Sequence, residues 1–481
     1  MRAVRAVVLL TTLLLPAALI ATPPSQGAPP TRADTTEARA DSAWTRINTG
    51  TGRNITIPSL LRTADGVLHV VYEQEAGVNW NYEHTTVSTS GAILGHSNAV
   101  SNWGALVTDP QLIPTSTGGM RVIFGGLLDT DVTNPFSGGH LYTAVSDATG
   151  ASWTVPSEAW SRSGTGYASY GTFASLLPDG QTLAGWTLNA DVVYRVGPLP
   201  LPVPDTTPAD PTFEEPACCL YSTTSVETGG AVWAAWYSNA SDNGIFVKQI
   251  HPTQGANLKA PGSSTDGDSI APGQPVAMTR RPDGSVVLAY CLGYPTCTSI
   301  GLWQLGTSTV TNVPGTAGAT SIALEAGPSG RLWLAWVDGS REVKAARSAP
   351  IGFTFGGVRD LATPISGGTS YNIAVEASLG EASIVVNDGT NLYHRQVQPG
   401  LVLTASPKKW DGDKATKVKV RVTDAAAGMA NAVVKGGGEK CTTKSDGTCV
   451  LKFAKRKPGK IKLKATKSGF SPASATLKVK P

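Results

Sequence analysis

Short apolar strands alternating with glycine-containing turns dominate the chain, and helical periodicity is scarce. One pattern recurs: an apolar strand, a turn with glycine, then a strand of aromatic and β-branched residues. The copies are LLRTADGVLHVVY (60–72), LIPTSTGGMRVIF (112–124), SLLPDGQTLAGW (175–186), SVETGGAVWAAW (225–236), MTRRPDGSVVLAY (278–290), LEAGPSGRLWLAW (324–336) and VEASLGEASIVV (375–386). Counted at the turn, they fall at 65, 118, 179, 229, 283, 329 and 379, a mean step of about 52 residues. Each copy predicts a hairpin with a two-residue turn of the Asp-Gly kind.

Further strands follow within the units: NYEHTTVS (81–88), HLYTAVS (140–146), GIFVKQI (244–250), IGLWQL (300–305), VKAARS (343–348) and NLYHRQV (391–397). A period near 50 with several strands per unit predicts an all-β, seven-bladed β-propeller over 42–400. The long step between the second and third marks leaves six or eight blades as alternatives. The last unit lacks an outer strand, and an orphan strand, AWTRINTG (43–50), precedes the first. Pairing the two would close the ring and remove its open edge.

Composition agrees with many turns: Gly 53, Pro 33 and only 15% charged residues. The N-terminus reads as a secretory signal peptide over 1–28, with Arg2 and Arg5 before the apolar run Ala6 to Ala21. Residues 29–41 read as a disordered spacer. Later segments are too short to span a bilayer, and the mature chain is expected outside the cell as a monomer, extracellular or surface-associated. Six cysteines fit an oxidising compartment. Cys441 and Cys449 flank a KSDGT turn, and Cys291 and Cys297 flank LGYPT, so each pair is expected to bond. Cys218 and Cys219 are adjacent: they bond to each other under strain or cross with Cys291 and Cys297.

Two segments resemble sialidases and their relatives. ITIPSLLRTADGVLHVVYEQ (55–74) is similar to the first blade of that family, which carries a Phe/Tyr-Arg-Ile-Pro motif. SDATGASW (146–153) resembles its Asp-box: Ser146, Gly150 and Trp153 match, Ser152 replaces Thr, and the Asp is displaced to Asp147. The resemblance implies a carboxylate-clamping triad of arginines and a Tyr/Glu nucleophile pair. Thr56 stands where the first arginine should be, and Thr cannot form a bidentate charged fork. Arg121, Arg195, Arg281, Arg331 and Arg395 are the candidates to rebuild a clamp, and Glu227 and Tyr371 fit the nucleophile pair in type only.

Small propellers bind ligands at the mouth of the central channel, where the innermost strands begin. Register with Thr56 puts Asp109, Tyr170 or Thr172, Cys219 or Tyr221, Gln274, Thr320, and Tyr371 or Asn372 there. One acid among hydroxyls, amides and aromatic rings suits an uncharged sugar or peptide. Trp186, Trp233, Trp236, Trp333 and Trp336 sit in second strands and are read as packing between blades. The six histidines show no metal or triad spacing, and no metal or cofactor is expected. Asp129 with Asp131 and Asp266 with Asp268 are too few acids for a calcium loop.

Composition changes near residue 401. The segment 401–481 holds 17 Lys and 2 Arg against 4 Asp and 1 Glu, net +14, while the rest of the chain is net −10. KVKVRVTD (417–424), CVLKFA (449–454), KIKLKAT (460–466) and ATLKVK (475–480) alternate as strands with one lysine-covered face. The tail resembles bacterial Ig-like and carboxypeptidase-regulatory-like modules, which implies a small β-sandwich. Such a face attracts teichoic acid, acidic glycan, DNA or anionic membrane; without interleaved aromatic residues, specific nucleic-acid binding is not expected. The sequence therefore predicts a secreted protein that binds extracellular glycan without turnover and is held to a cell-wall polyanion by its tail. The alternatives are a divergent exo-sialidase-type glycoside hydrolase and a protein-interaction platform.

Overall fold

The computed structural model describes residues 41–52, 57–103, 105–106, 109–127, 140–155, 168–188, 191–197, 212–214, 223–238, 244–263, 276–293, 296–364 and 372–481. The signal-peptide and spacer readings, Cys218 and Cys219 lie outside these residues. The described residues form strands and no helix.

Before residue 400 the strands make small antiparallel sheets that follow the sequence repeats. Sheet 1 is Ser59–Arg62, Leu68–Ala76, Asn79–Val87 and Ile93–Trp103. Sheet 2 is Gln111–Pro114, Met120–Leu127, His140–Ser146 and Trp153–Thr154, with Ala105–Leu106 beside its second strand. Sheet 3 is Ala168–Leu176, Thr182–Leu188, Asp191–Gly197 and Thr212–Glu214. Sheet 4 is Thr223–Thr228, Ala231–Ser238, Gly244–His251 and Leu258–Lys259. Sheet 5 is Val276–Arg280, Val286–Leu292, Ser299–Gln304 and Val310–Val313. Sheet 6 is Ser321–Ala326, Leu332–Val337, Val343–Arg347 and Arg359–Asp360. Sheet 7 is Asn372–Glu376, Ala382–Asn387, Leu392–Val397 and, from the other end of the chain, Thr45–Arg46.

The orphan strand thus pairs as the repeat count required: Thr45 faces His394 and Arg46 faces Tyr393. The order of the sheets is cyclic. Each first strand neighbours the first strand of the next sheet, and that of sheet 7 returns to that of sheet 1. An apolar core fills every gap between consecutive sheets. Tyr290 and Leu288 pack toward sheet 4, while Val287 and Ala289 of the same strand pack toward sheet 6. The gap between sheets 7 and 1 holds Ile47, Val385 and Leu392 against Leu68, Val70 and Tyr72. Second strands are buried on both faces, which is why VVLAYCL and LWLAWV read as unbroken apolar runs. Trp186, Trp236, Trp333 and Trp336 are buried in these gaps, and Trp233 packs against the sheet 4–5 core.

The repeat turns differ from the two-residue hairpins expected. In sheet 1 the Gly66 N–H bonds Thr63 O, and the Thr63 N–H bonds Val67 O. This is a type I turn followed by a left-handed glycine, Gly66 at φ 86°. Asp65 stabilises it by accepting from the Val67 N–H at 3.1 Å, as Asp179 and Asp283 do for Gln181 and Ser285. The Asp-Gly pairs therefore mark a capping carboxylate and a bulge glycine. Sheet 4 has the two-residue form, with Thr228 facing Ala231 across Gly229 and Gly230.

Residues 401–481 build two further sheets. One holds Val402–Ser406, Thr416–Asp424, Ala427–Gly428 and Thr448–Phe453. The other holds Lys409–Asp411, Ala473–Lys480, Gly459–Thr466, Val433–Gly436 and Glu439–Thr442. Val418, Val420 and Leu451 of the first share one core with Val434, Leu463 and Leu477 of the second. Cys441 and Cys449 bond as expected, but their strands lie in different sheets, so the bond joins the two layers instead of closing one hairpin. Cys291 and Cys297 bond at the end of a sheet 5 hairpin.

Candidate functional site at the entry end of the inner strands

The first strands of the sheets have two ends, and their chemistry differs. At the turn end, polar side chains bind one another around the ring. Arg62 donates to Glu376 at 2.5 Å and to Ser383 Oγ at 2.8 Å. Arg280 pairs with Glu227 at 3.2 Å, Ser175 with Ser225 at 3.0 Å, and Thr279 Oγ1 accepts from the Ala326 N–H. Burial pushes the Glu325 carboxyl up to about 8, with the charge of Glu376 adding to it. Glu325 is therefore mostly neutral near pH 7, within a belt that also holds the Arg62–Glu376 and Arg280–Glu227 pairs. Glu227, a nucleophile candidate by type, belongs to this belt and also accepts from the Gly230 N–H.

At the entry end the described residues include a strongly perturbed carboxyl. Asp109 stands just before the first strand of sheet 2, half-buried, and its Oδ1 accepts the Ile57 N–H at 2.7 Å. Burial raises its carboxyl to about 7, and the negative charge of Glu73 pushes in the same direction. A carboxyl that touches solvent space yet is strongly desolvated fits the wall of a narrow channel. Glu73 is fully buried on the second strand of sheet 1, on the side facing sheet 2 that it shares with Val71. Thr172 of sheet 3 is buried, and its Oγ1 has no hydrogen-bond partner among the described residues. A bulge between Ser169 and Thr172 sets its position. One acid that is protonated below about pH 7, one further carboxyl and a hydroxyl can exchange hydrogen bonds with an uncharged polar ligand.

The other expected residues divide. Thr320 is exposed at the start of its strand, but its hydroxyl donates to Val337 O at 3.2 Å and so secures its own sheet. Asn372 opens the first strand of sheet 7, half-buried and facing Asn387. Tyr170 lies on the first strand of sheet 3. Thr56, Tyr221, Gln274 and Tyr371 lie outside the described residues. Glu73 was not singled out from the sequence. Its signal was the acidic pair in VVYEQEA, within a strand that is mostly buried.

Four of the five candidate arginines, Arg121, Arg281, Arg331 and Arg395, are held by separate partners. Arg121 bonds Thr143, and Arg281 bonds Gly352 O at 2.6 Å while stacking over Phe353. Arg331 bonds Ser348 O and Asp424 O. Arg395 bonds Leu361 O and stacks over Trp44.

Sheets 1 and 2 are also joined through histidines that look scattered in sequence. His69 Nδ1 and His84 Nε2 lie 2.8 Å apart with the rings stacked. His84 Nδ1 meets Ser97 Oγ, which donates to Gly150 O at 2.7 Å. Gly150 belongs to SDATGASW, whose turn is held by Ser146 Oγ on Ser152 O and by the Trp153 indole N–H on Gly150 O. Trp153 packs edge-on against His84. Burial lowers His69 to about 4 and His84 to about 3, so the pair is neutral near pH 7.

No family model matches the chain, and no curated protein matches it. Among solved structures, the chain is similar to the BP39L lectin from Burkholderia pseudomallei, at 12% identity and a TM-score of 0.44, over 79% of this chain and 98% of that one. It is similar to the Penicillium chrysogenum alpha-L-arabinanase, at 10% identity and a TM-score of 0.39, over 76% and 98%. A point mutant of the NanB sialidase from Streptococcus pneumoniae matches at 9% identity and a TM-score of 0.41, over 73% and 70%.

Proposed function

We propose that this is a secreted, seven-bladed β-propeller protein that binds an uncharged extracellular glycan at the entry end of its inner strands, without turnover. Its Ig-like β-sandwich, residues 401–481, holds it to a cell-wall polyanion. The cyclic order of the sheets supports the propeller, and the disulfides fit an oxidising compartment. The observation that carries the binding reading is the contrast between the two strand ends. The turn end is closed by its own ion pairs, whereas the described residues of the other end include Asp109, whose carboxyl is raised by burial and by Glu73, and Thr172, whose buried hydroxyl has no partner among them. The separate partners of Arg121, Arg281, Arg331 and Arg395 weigh against a clamp for an acidic sugar. A glycan array probed with residues 29–481 tests this. Neutral glycans should be retained and sialylated ones not preferred; preference for sialosides would sink the reading.

A second reading has an observation of its own. A carboxyl raised to about 7 beside another carboxyl is the acid and base pattern of glycoside hydrolysis. In that case Asp109 would protonate the leaving oxygen. Reducing-end release from array-selected glycans would establish it, and its absence across pH 4–8 would leave binding alone.

A further inference from the structure

The lysines of the C-terminal unit form an ordered array on one sheet. On the outer face of the sheet holding Gly459–Thr466, strand pairing sets Lys460 opposite Lys478, and Lys478 opposite Lys409. A second row runs Lys464, Lys435, Lys440. Lys462 stands between the rows. All of these side chains are exposed, while Ile461, Leu463, Leu477 and Val479 on the same strands face the core. Neighbours within a row sit on strands about 4.8 Å apart. Like charges directly opposite destabilise a sheet. A face needed only for solubility would mix signs, but here Asp411 and Glu439 at the margins are the acids on these strands.

The first row runs into a shallow cleft of ≈ 390 Å³ lined by Arg456, Lys457, Pro458, Gly459, Lys460, Ile461 and Val479. Lys460 belongs to both. The opposite sheet is different: Lys417 faces Lys452, but exposed Val402 and Val450 interrupt its outer face.

We propose that the row Lys409–Lys478–Lys460 and the adjoining cleft bind a linear, base-free phosphodiester polymer of the poly(glycerol phosphate) type, laid across the strands. This rests on the reading that the C-terminal unit attaches the protein to a polyanion, and adds which face does so and to what. Lysine point charges suit phosphate oxygens without demanding the planar geometry of the arginine fork. The strands of this face present no exposed aromatic side chain, so neither bases nor sugar rings have a stacking platform. They present no exposed large apolar side chain to enter a bilayer.

The test uses the mature full chain and immobilised poly(glycerol phosphate), with a polyuronate and phosphatidylserine vesicles alongside. Replacing Lys409, Lys460 and Lys478 together by Gln should weaken polymer binding at least tenfold and flatten the log affinity against log salt slope by about 2–3. The same change at Lys417, Lys419 and Lys452 should leave affinity within about twofold. Equal loss in both variants, or loss only in the second, would overturn the face assignment while leaving attachment to a polyanion intact. Stronger binding to the polyuronate or the vesicles would overturn the choice of polymer. No retention on any of the three would remove both the inference and the attachment reading.

Discussion

The ring of sheets and the C-terminal unit handle charge in opposite ways. Across the first 400 residues acidic side chains outnumber basic ones, and many lie inside: Glu73, Glu83, His69, His84 and the Arg62–Glu376 pair are all buried or nearly so. The C-terminal unit is net +14 and turns its lysines outward in rows. Buried ionisable groups must find partners or change protonation state, and the ring does both. Exposed like charges only repel, so their repetition points outward to a ligand. The two regimes meet at one contact. Asp424 of the C-terminal unit is buried against Arg347 of sheet 6 and lies 3.4 Å from Arg331, in the turn before that sheet's second strand. Burial there outweighs the pairing: it raises the Asp424 carboxyl and lowers Arg347 to about 10.

That junction gives the largest expected effect. Arg347→Ala leaves Asp424 buried without its closest partner and should cost about 3–5 kcal/mol, read by urea unfolding. Replacing Arg347 by Met together with Asp424 by Leu should recover most of the loss. A single-variant cost near zero would mean that the two units are not coupled through this pair.

Within the ring, Gly150→Ala should cost about 1–3 kcal/mol, because its Cβ would lie 2.2 Å from His84 Cε1 and Gly150 is at φ 67°. Adding His84→Ala should relieve the clash and leave only the backbone cost. Thermal melts of the four-membered cycle measure that coupling, and strict additivity would rule the contact out.

A pH series separates the two kinds of buried group. His69, His84 and His394 have folded pKa values below the ordinary 6.5, so their contribution is full above 6.5 and is lost as pH falls through about 4. Asp109 and Glu325 are raised, so theirs is full below the ordinary carboxyl range and is lost as pH rises through about 7 to 8. Stability should peak at about pH 6.5: below it the loss at three histidines outweighs the gain at two carboxyls, and above it only the carboxyl loss remains. The acid limb also reflects Asp65, which meets His69 through Thr63, and Arg62 and His96, whose charges oppose protonation of His69 and His84 respectively. His84→Gln should flatten that limb; an unchanged limb would mean that other groups set it.

The smallest effect lies on the lysine face. Lys435→Gln, which relieves a row of three like charges, should stabilise the C-terminal unit by a few tenths of a kcal/mol at low salt, and the gain should vanish at high salt. Destabilisation would mean that the rows are held by partners within the unit.

Much of the ring was legible because its signals are local. The capped Asp-Gly turns and the doubly buried second strands repeat in sequence, and AWTRINTG had no place except sheet 7. Pairings across distance were not legible. His69 and His84 look scattered until strand register puts His84 opposite Val71 and next to His69. Arg62 meets Glu376 only because the ring closes, and Glu73 faces Asp109 only once sheet 2 packs on sheet 1. Asp109 itself could be found by register with the start of the first unit. The C-terminal lysines were visible as alternation, but their grouping into rows depends on the strand order of the sheet.

The most direct test of the central claim is calorimetric titration of residues 29–481 with a neutral glycan selected on the array, with Asp109→Asn in parallel and product release followed in the same samples. The account predicts saturable binding without product. It also predicts affinity that falls as pH rises through about 7, when Asp109 ceases to donate, and a variant that no longer responds to pH in that range. Product formed by the native chain and abolished by Asp109→Asn would contradict it, as would binding indifferent to both Asp109 and pH.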